Sequence, residues 1–557
     1  VADIEKSKNF CSLAPLFYFR RKDKQLSAML VVFLIYPRRF WIKCLLCAAW
    51  GAGCGTNDPQ GLIFRVNIYG GLTSLDPAFA HTEANAWLVG RIYDTLLRTD
   101  DTLGLIPALA RTYTVSADGM EYGFVLRRDA YFHSHPNFGG DGTRAATARD
   151  VEYSFTRLVD PAVASPGQWL FNQCVEGVEE FQRGAAATVS GFEARDDTTF
   201  VIRLSRPFAP FLRMLTSPYA SVVAREAAGA VVGTGPFRLH LWREGRSLIL
   251  HKNRRYHAGA PQIDAVVFRF ISGKTSAFHE FLRGGLDYLD APAPAVMEEV
   301  FTPEGRLSPA YAERFEARTA PQLTTEYIGL LAGEDAPALA DARVRKALAL
   351  AIDRRRLARP PGAALPTGGF VPEGMPGFRP RNVPLFDPDS ARRLLKICGQ
   401  TFERPLVLLT NPAYRLQAEF VQKSWKEIGV PTIIEEMEGA ALRSRIASGG
   451  ARAWRASWVA DYPDPENFAA LFYSPNIPPA GPNYTRFSLP EYDSLYRAAV
   501  QNPRPELYEL MENLRDQYTP VIVLYYYRTI RLIQKGWDFP NHPLVLELEK
   551  VVKARQS

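Results

Sequence analysis

The sequence predicts an α/β fold with more than one lobe, and three observations carry that prediction. Short β-branched and aromatic runs alternate with amphipathic helical stretches in both the early and the late parts of the chain. A strand-rich segment of different texture interrupts the first of these blocks. An apolar run, 521–527 (VIVLYYY), returns after the second block has ended. At 557 residues the chain exceeds what a single core serves, so two or three domains are expected.

Taken in order, 62–69 (LIFRVNIY) reads as a strand that opens at Gly70-Gly71 into a loop containing Thr73, Ser74 and Leu75. Open α/β sheets place ligands at such strand ends, which makes these three residues candidates for a binding wall. Residues 84–97 then show helical spacing through Ala84, Trp87, Leu88, Ile92 and Leu96. From about 100 to 195 short strands gather around the turns 116–119 and 141–142, and Thr147 caps a helix with Asp150 in its first turn. This reads as an inserted α+β piece. The turn Gly233-Thr234-Gly235 lacks the Lys-Ser/Thr of a phosphate loop, and strands follow it. Asp341 caps the helical run 342–352; 359–384 is rich in Pro and Gly and reads as irregular loop. A β-α-β run fills 405–436, and a helix at 440–446 precedes the stretch 454–468 (WRASWVADYPDPENF).

That stretch holds Asp461, Asp464 and Glu466 between Trp458, Tyr462 and two prolines. Pro463 and Pro465 fix φ and bias the residues before them away from helix, so the acids belong on a stiff irregular loop. An acid held beside Trp458 and Tyr462 is partly desolvated and favours a cation as partner. The plain alternative is a Pro-rich turn whose acids face water.

Lys and Arg total 66 against 59 Asp and Glu, but residues 1–53 alone hold nine basic and three acidic residues. The body is therefore nearly neutral and has no dense basic run, which argues against nucleic acid as a partner. Arg38, Arg39 and Lys43 precede the short apolar run 44–53, which ends in small residues before Cys54. This is the pattern of an export segment over 1–54, with 55–61 as a polar tether. The residues before Cys54 resemble a bacterial lipobox, although Gly51 stands where that pattern prefers Leu. Cys54 is the expected lipidation site, and the odd stretch 1–36 suggests a misplaced gene start. No apolar run reaches about 18 residues, so no spanning helix is expected. Cys174 and Cys398 have no metal-ligand spacing, and His133-x-His135 lacks a third ligand, so no metal or cofactor is expected. No G-x-S-x-G is present.

Seven stretches, in order along the chain, carry a resemblance: LDPAFA (75–80), YDTLLRTDD (93–101), GTGPFRL (233–239), LHKNRRYH (250–257), RVRKALALAIDRRRL (343–357), ADYPDPENF (460–468) and YYYRTIRL (525–532). The chain resembles the family 5 extracellular solute-binding proteins, the peptide/nickel-binding receptors of ABC importers. The resemblance implies a two-lobed periplasmic-binding-protein-like clamshell of type II, in its large form with an inserted α+β subdomain. Lobe I would comprise 62–99, 196–320 and 521–557, the insertion 100–195, and lobe II 321–520, with crossings near 318–327 and 515–525. In peptide-binding members an acid in a motif like ADY holds the ligand's N-terminal ammonium. That position matches Asp461, with Trp458 and Tyr462 beside it. Arg343, Arg345 and Arg443 are candidates for the ligand's carboxylate.

The implied function is capture of oligopeptides by hinge closure and delivery to a membrane permease and ATPase. The protein would be a monomeric, lipid-anchored, exported receptor that is not an enzyme. The alternatives are a receptor for another solute, such as a nickel chelate or an oligosaccharide, and a secreted hydrolase.

Overall fold

The computed structural model describes residues 61–554, apart from 141, 173, 303–304, 360–361, 368, 382–385, 400–401 and 403. The expected export segment, Cys54 and most of the expected tether lie outside the described residues.

One large mixed sheet organises the chain. Its principal strands are β1 (Ile63–Asn67), β2 (Phe237–Arg243), β3 (Ser247–Lys252), β4 (Ala265–Arg269), β5 (Tyr288–Asp290), β6 (Phe315–Leu330), β7 (Leu406–Thr410), β8 (Thr432–Glu436), β9 (Ala453–Val459) and β10 (Val521–Gln534). They lie in the order β8-β7-β9-β6-β10-β5-β1-β4-β3-β2. The long strands β6 and β10 run antiparallel in three registers, Phe315↔Gln534 to Pro321↔Arg528, then Thr325↔Tyr526 and Glu326↔Tyr525, then Tyr327↔Val523 onward. Pro321 stands at the first break; it has no N–H to give to a ladder, so pairing lapses there. On one side of the break β5, β1, β4, β3 and β2 continue the sheet, and on the other side β9, β7 and β8 do. Within the sheet the two halves are joined through β6 and β10.

Each half has its own core. Phe64, Val66, Leu88 and Phe268 are wholly buried in one, and Ile328, Leu348, Leu408 and Trp425 in the other. Full burial of side chains this size is worth about 1.5–3 kcal/mol each. Trp425 also donates its indole N–H to the Leu348 carbonyl at 3.0 Å, which ties a helix across the second core.

The inserted piece is a separate four-stranded sheet of Ala110–Val115, Glu121–Leu126, Thr199–Arg203 and Phe192–Ala194, in that order. Helix Ala148–Val159 packs on it, opened by a capping box between Thr147 and Asp150. Because Thr199–Arg203 lies between two strands of this sheet, the insertion runs past the expected limit at 195. Its core continues through Phe211, Leu215 and Val222.

The helix expected over 84–97 is shorter, Glu83–Ile92. Asp94 is pulled out of helical register by Thr234 and Tyr256, whose hydroxyls donate to it at 2.9 and 3.1 Å, and by His257 at 3.2 Å. The Gly-rich turn is what lets this happen. A Cβ on Gly233 would lie 2.1 Å from the Ile92 carbonyl oxygen, and Gly235 N–H donates to that oxygen at 2.9 Å. His133 is not a surface histidine: it is buried, with Nε2 3.0 Å from the Gly235 carbonyl. Among the described residues no group of His, Cys, Asp and Glu is arranged to hold a metal ion. Cys174 and Cys398 are free thiols.

Candidate functional site

Strand β9 carries the site. Along one edge it pairs with β6 from Thr324↔Val459 to Leu330↔Ala453. Along the other, β7 reaches only Ala453 and Trp454. Among the described residues, the outer edge of 455–459 therefore has no strand partner, and its backbone groups are available to an extended guest.

After β9 the chain turns through the two prolines into the short helix Glu466–Ala469. Asp461 lies in this turn. It is exposed to solvent, yet burial among surrounding protein pushes its carboxyl above the usual range, opposed by a hydrogen bond from Asn467. Asn467, itself buried, holds the arrangement together. Its Oδ1 accepts from Trp458 Nε1 at 3.0 Å and from Asp461 N–H at 3.3 Å, and its Nδ2 donates to Asp461 Oδ2 at 3.4 Å. Tyr219, from the end of the insertion, lies within electrostatic reach of Asp461.

The other two acids do different work. Asp464 accepts from the Glu466 N–H at 3.0 Å and faces Arg213 of the insertion at 3.4 Å. Glu466 is buried and accepts from the hydroxyls of both Tyr462 and Tyr496. Tyr462 is only 8% exposed and stacks on Trp169 with ring centroids 6.2 Å apart. The expectation that Tyr462 lines the ligand is thus corrected: it is a support that seats the loop against the insertion. Ala209 N–H also donates to the Val500 carbonyl at 2.7 Å, so the insertion touches the second half of the chain beside the Asp461 loop at several points.

Burial pushes the Glu466 carboxyl up to about 7, with the two tyrosine hydroxyls opposing the shift. Its folded value lies above its ordinary one, so protonation favours the fold. The stability it contributes is full below about 4.5 and is lost as pH rises through about 7. We expect Glu466→Gln to flatten the decline in thermal stability between pH 5 and pH 8, with a gain on the order of 1–3 kcal/mol at the upper end. Parallel melting profiles for the two proteins would contradict this.

The other candidate residues lie in the loop after β1. Thr73 is exposed and exchanges two hydrogen bonds with the buried Asn85, at 3.2 and 2.9 Å. Ser74 Oγ accepts from Asp76 N–H at 3.0 Å. Leu75 is 2% exposed and belongs to the core, so its side chain is corrected from wall to anchor. Asp76 in turn pairs with Arg157 at 2.5 Å. Glu83, which the sequence did not single out, opens helix Glu83–Ile92 and is exposed; burial and Asp290 raise its carboxyl, with Lys274 opposing.

Between β9 and β6 lies a buried ion pair. Arg455 donates to Glu326 through Nη2, to Ser457 Oγ at 3.0 Å through Nη1 and to Gln417 Oε1 at 3.2 Å through Nε. Its guanidinium carbon lies 3.2 Å from the Tyr414 ring centroid. Of the arginines singled out earlier, Arg343 is paired with Asp341 at 2.7 Å and Arg345 donates to carbonyls at 339, 340, 518 and 519. Both are engaged in holding helix ends. Arg455 stands on β9, six residues before Asp461 in the turn that follows the strand, and the sequence did not single it out.

The fold, one sheet whose two halves each carry a core and are joined through two long strands, is that of a two-lobed periplasmic binding protein. The family model for bacterial extracellular solute-binding proteins, family 5, middle portion, matches residues 104–478, and the chain belongs to that family. It is 28% identical over 464 residues to the peptide transport periplasmic protein SapA of Salmonella typhimurium, covering 78% of this chain and 81% of that one. It is 30% identical over 516 residues to di/tripeptide-binding protein 4 of Pseudomonas aeruginosa, covering 86% and 91% respectively. Its structure is similar to the unliganded open form of the periplasmic murein tripeptide-binding protein MppA. There the TM-score is 0.75 and the identity 25%, with 89% of this chain and 98% of that one covered.

Proposed function

We propose that this protein is an exported receptor that captures oligopeptides between its lobes and delivers them to an ABC importer. The observation that carries the reading is the carboxylate of Asp461, which has no ion pair among the described residues, close in sequence to the strand edge 455–459 that no described strand covers. A peptide's ammonium meets the acid, and its main chain adds to the strand edge through bonds that do not depend on side-chain identity. Trp458, half-buried and held by Asn467, forms the wall next to the ammonium. The names of the SapA and di/tripeptide-binding relatives point the same way.

Closure at the break near Pro321 expels water and buries the guest, and the permease recognises the closed population. The register break of β6 and β10 supports a hinge whose first crossing falls at Pro321–Thr325, within the expected 318–327, and whose second falls at Tyr526–Arg528, beyond the expected 515–525, so that 521–525 goes with lobe II. The protein works as a monomer, leaves its ligand chemically unchanged and is tethered to the membrane through an acylated Cys54. Two or more buried acyl chains hold stably, at about 0.8 kcal/mol per CH₂.

Mass spectrometry of ligand carried through native purification tests the proposal. Short peptides of mixed sequence are the expected cargo. A metal chelate or an oligosaccharide in stoichiometric amount would overturn it, and an unmodified Cys54 in the intact mass would remove the anchor.

A further inference from the structure

The turn that carries Asp461 is not held by its own half of the chain alone. Three contacts reach it from the insertion. Tyr462, the next residue, is buried in the insertion's core, where its ring stacks on Trp169 with the planes 24° apart. Asp464, also buried, meets Arg213 Nε at 3.4 Å. Arg213 is fixed in its turn, because its Nη1 donates to the Leu103 carbonyl at 2.8 Å. Leu103 is the third contact. It is 1% exposed and belongs to the same buried cluster as Phe468, which lies on the short helix that closes the turn.

The hairpin that carries Leu103 is built for this reach. Leu103 stands at its tip, between Leu97–Thr99 and Leu105–Pro107, with φ at +63°, where a bulky residue is rarely found. Asp100 holds the tip: its Oδ1 accepts from the N–H of Thr102 at 2.8 Å and of Gly104 at 2.9 Å. Such a conformation persists only where its surroundings impose it. Asp461 has much less support of its own. Among the described residues its side chain has only Asn467 as a hydrogen-bond partner. Pro463 and Pro465 stiffen the backbone, so a grip on Tyr462 and Asp464 carries to the acid one and three residues before them.

We propose that the insertion is part of the ammonium site, and that Trp169 and Arg213 are positioning residues that hold the Asp461 carboxylate where a peptide's amino terminus meets it. This rests on the peptide reading above and adds the part of the chain that aligns the acid. Neither residue needs to touch the ligand. A carboxylate already held in place bonds an ammonium without first losing its freedom, so loosening it costs affinity at that end of the ligand alone.

The test is calorimetry on the full mature protein with one peptide and its N-acetylated twin. The ratio of the two affinities reads the ammonium bond. Trp169→Ala and Arg213→Ala are each expected to lower that ratio about 10-fold, the scale on which a binding group loses an outer support, with the acetylated peptide changed by less than about twofold. Trp169→Phe keeps a ring against Tyr462 and Arg213→Lys keeps a charge opposite Asp464, so both should retain the wild-type ratio. A loss of general structure weakens both peptides alike. Equal losses for the two peptides therefore overturn the proposal, and so does an unchanged ratio in both alanine variants. If the ratio collapses in Asp461→Ala but not in these variants, this inference alone falls. If acetylation costs the wild type nothing, the ammonium reading falls and takes this one with it.

Discussion

Asp461→Ala is expected to weaken peptide binding by about 10²–10⁴-fold, because it leaves the ligand's ammonium buried without its counter-charge at a cost of about 3–5 kcal/mol. The effect should be large because the carboxylate is held rather than free. Asn467 fixes both its side chain and its backbone N–H, and ties the same unit to the Trp458 indole. The burial that raises the acid's pKa is also what strengthens the bond to an ammonium once the lobes close over it. Thermal stability should change little, since Asp461 has no ion pair among the described residues to lose. Peptide affinity within threefold of the wild type in a folded Asp461→Ala protein would contradict the assignment.

The second large effect is on the fold rather than on binding. Glu326→Ala should destabilise the protein by about 3–5 kcal/mol, because it strands the guanidinium of Arg455 in a site where both residues are under 10% exposed. Ser457, Gln417 and Tyr414 would still touch Arg455, but none of them carries a charge to balance it. Removing both charges together, as Glu326→Met with Arg455→Met, should recover most of the loss, since a buried pair is weakly stabilising compared with apolar packing. Urea unfolding of the single and double variants measures both. A single variant as stable as the wild type, or a double variant worse than the single, would show that the pair is not what holds β6 and β9 at this point.

Much of the fold could be read locally. The capping box at Thr147 and Asp150, the cap at Asp341 and the strand–turn–acid run through Asp461 each depend on neighbours in sequence, and each appears as expected. What could not be read depends on partners far away. Leu96 kept helical spacing after Ile92, but Asp94 is claimed by Thr234, Tyr256 and His257, more than 100 residues on, and the helix ends early. The loop 359–384 was legible as irregular but not as anchored. Phe370 is wholly buried, its carbonyl accepts from Thr325 Oγ1 at 2.8 Å, and Ala363–Ala364 pairs with β10 at Tyr526 and Tyr527.

The site divides the same way. Asp461 was legible because prolines and aromatics crowd it within a few residues. Tyr462 shared that local signature, yet a distant ring, Trp169, takes its face and Glu466 takes its hydroxyl. Leu75 sat in the right loop, but its apolar side chain is better satisfied in the core than on a wall. Glu83 and Glu326 carry no local mark at all. Each is an ordinary acid in a helix start or a strand, and only partners far away in sequence, Arg455 for Glu326, and Asp290 and Lys274 for Glu83, set its surroundings.

The central claim is that one ammonium meets one carboxylate, and a double cycle tests it most directly. A peptide and its N-acetylated twin are titrated by calorimetry into the wild type and into Asp461→Ala. Acetylation is expected to cost the wild type nearly as much affinity as the substitution does, and to cost the variant almost nothing further, so that the two losses fail to add. An acetylated peptide that binds the wild type as tightly as the free one, or losses that add in full, would contradict the account.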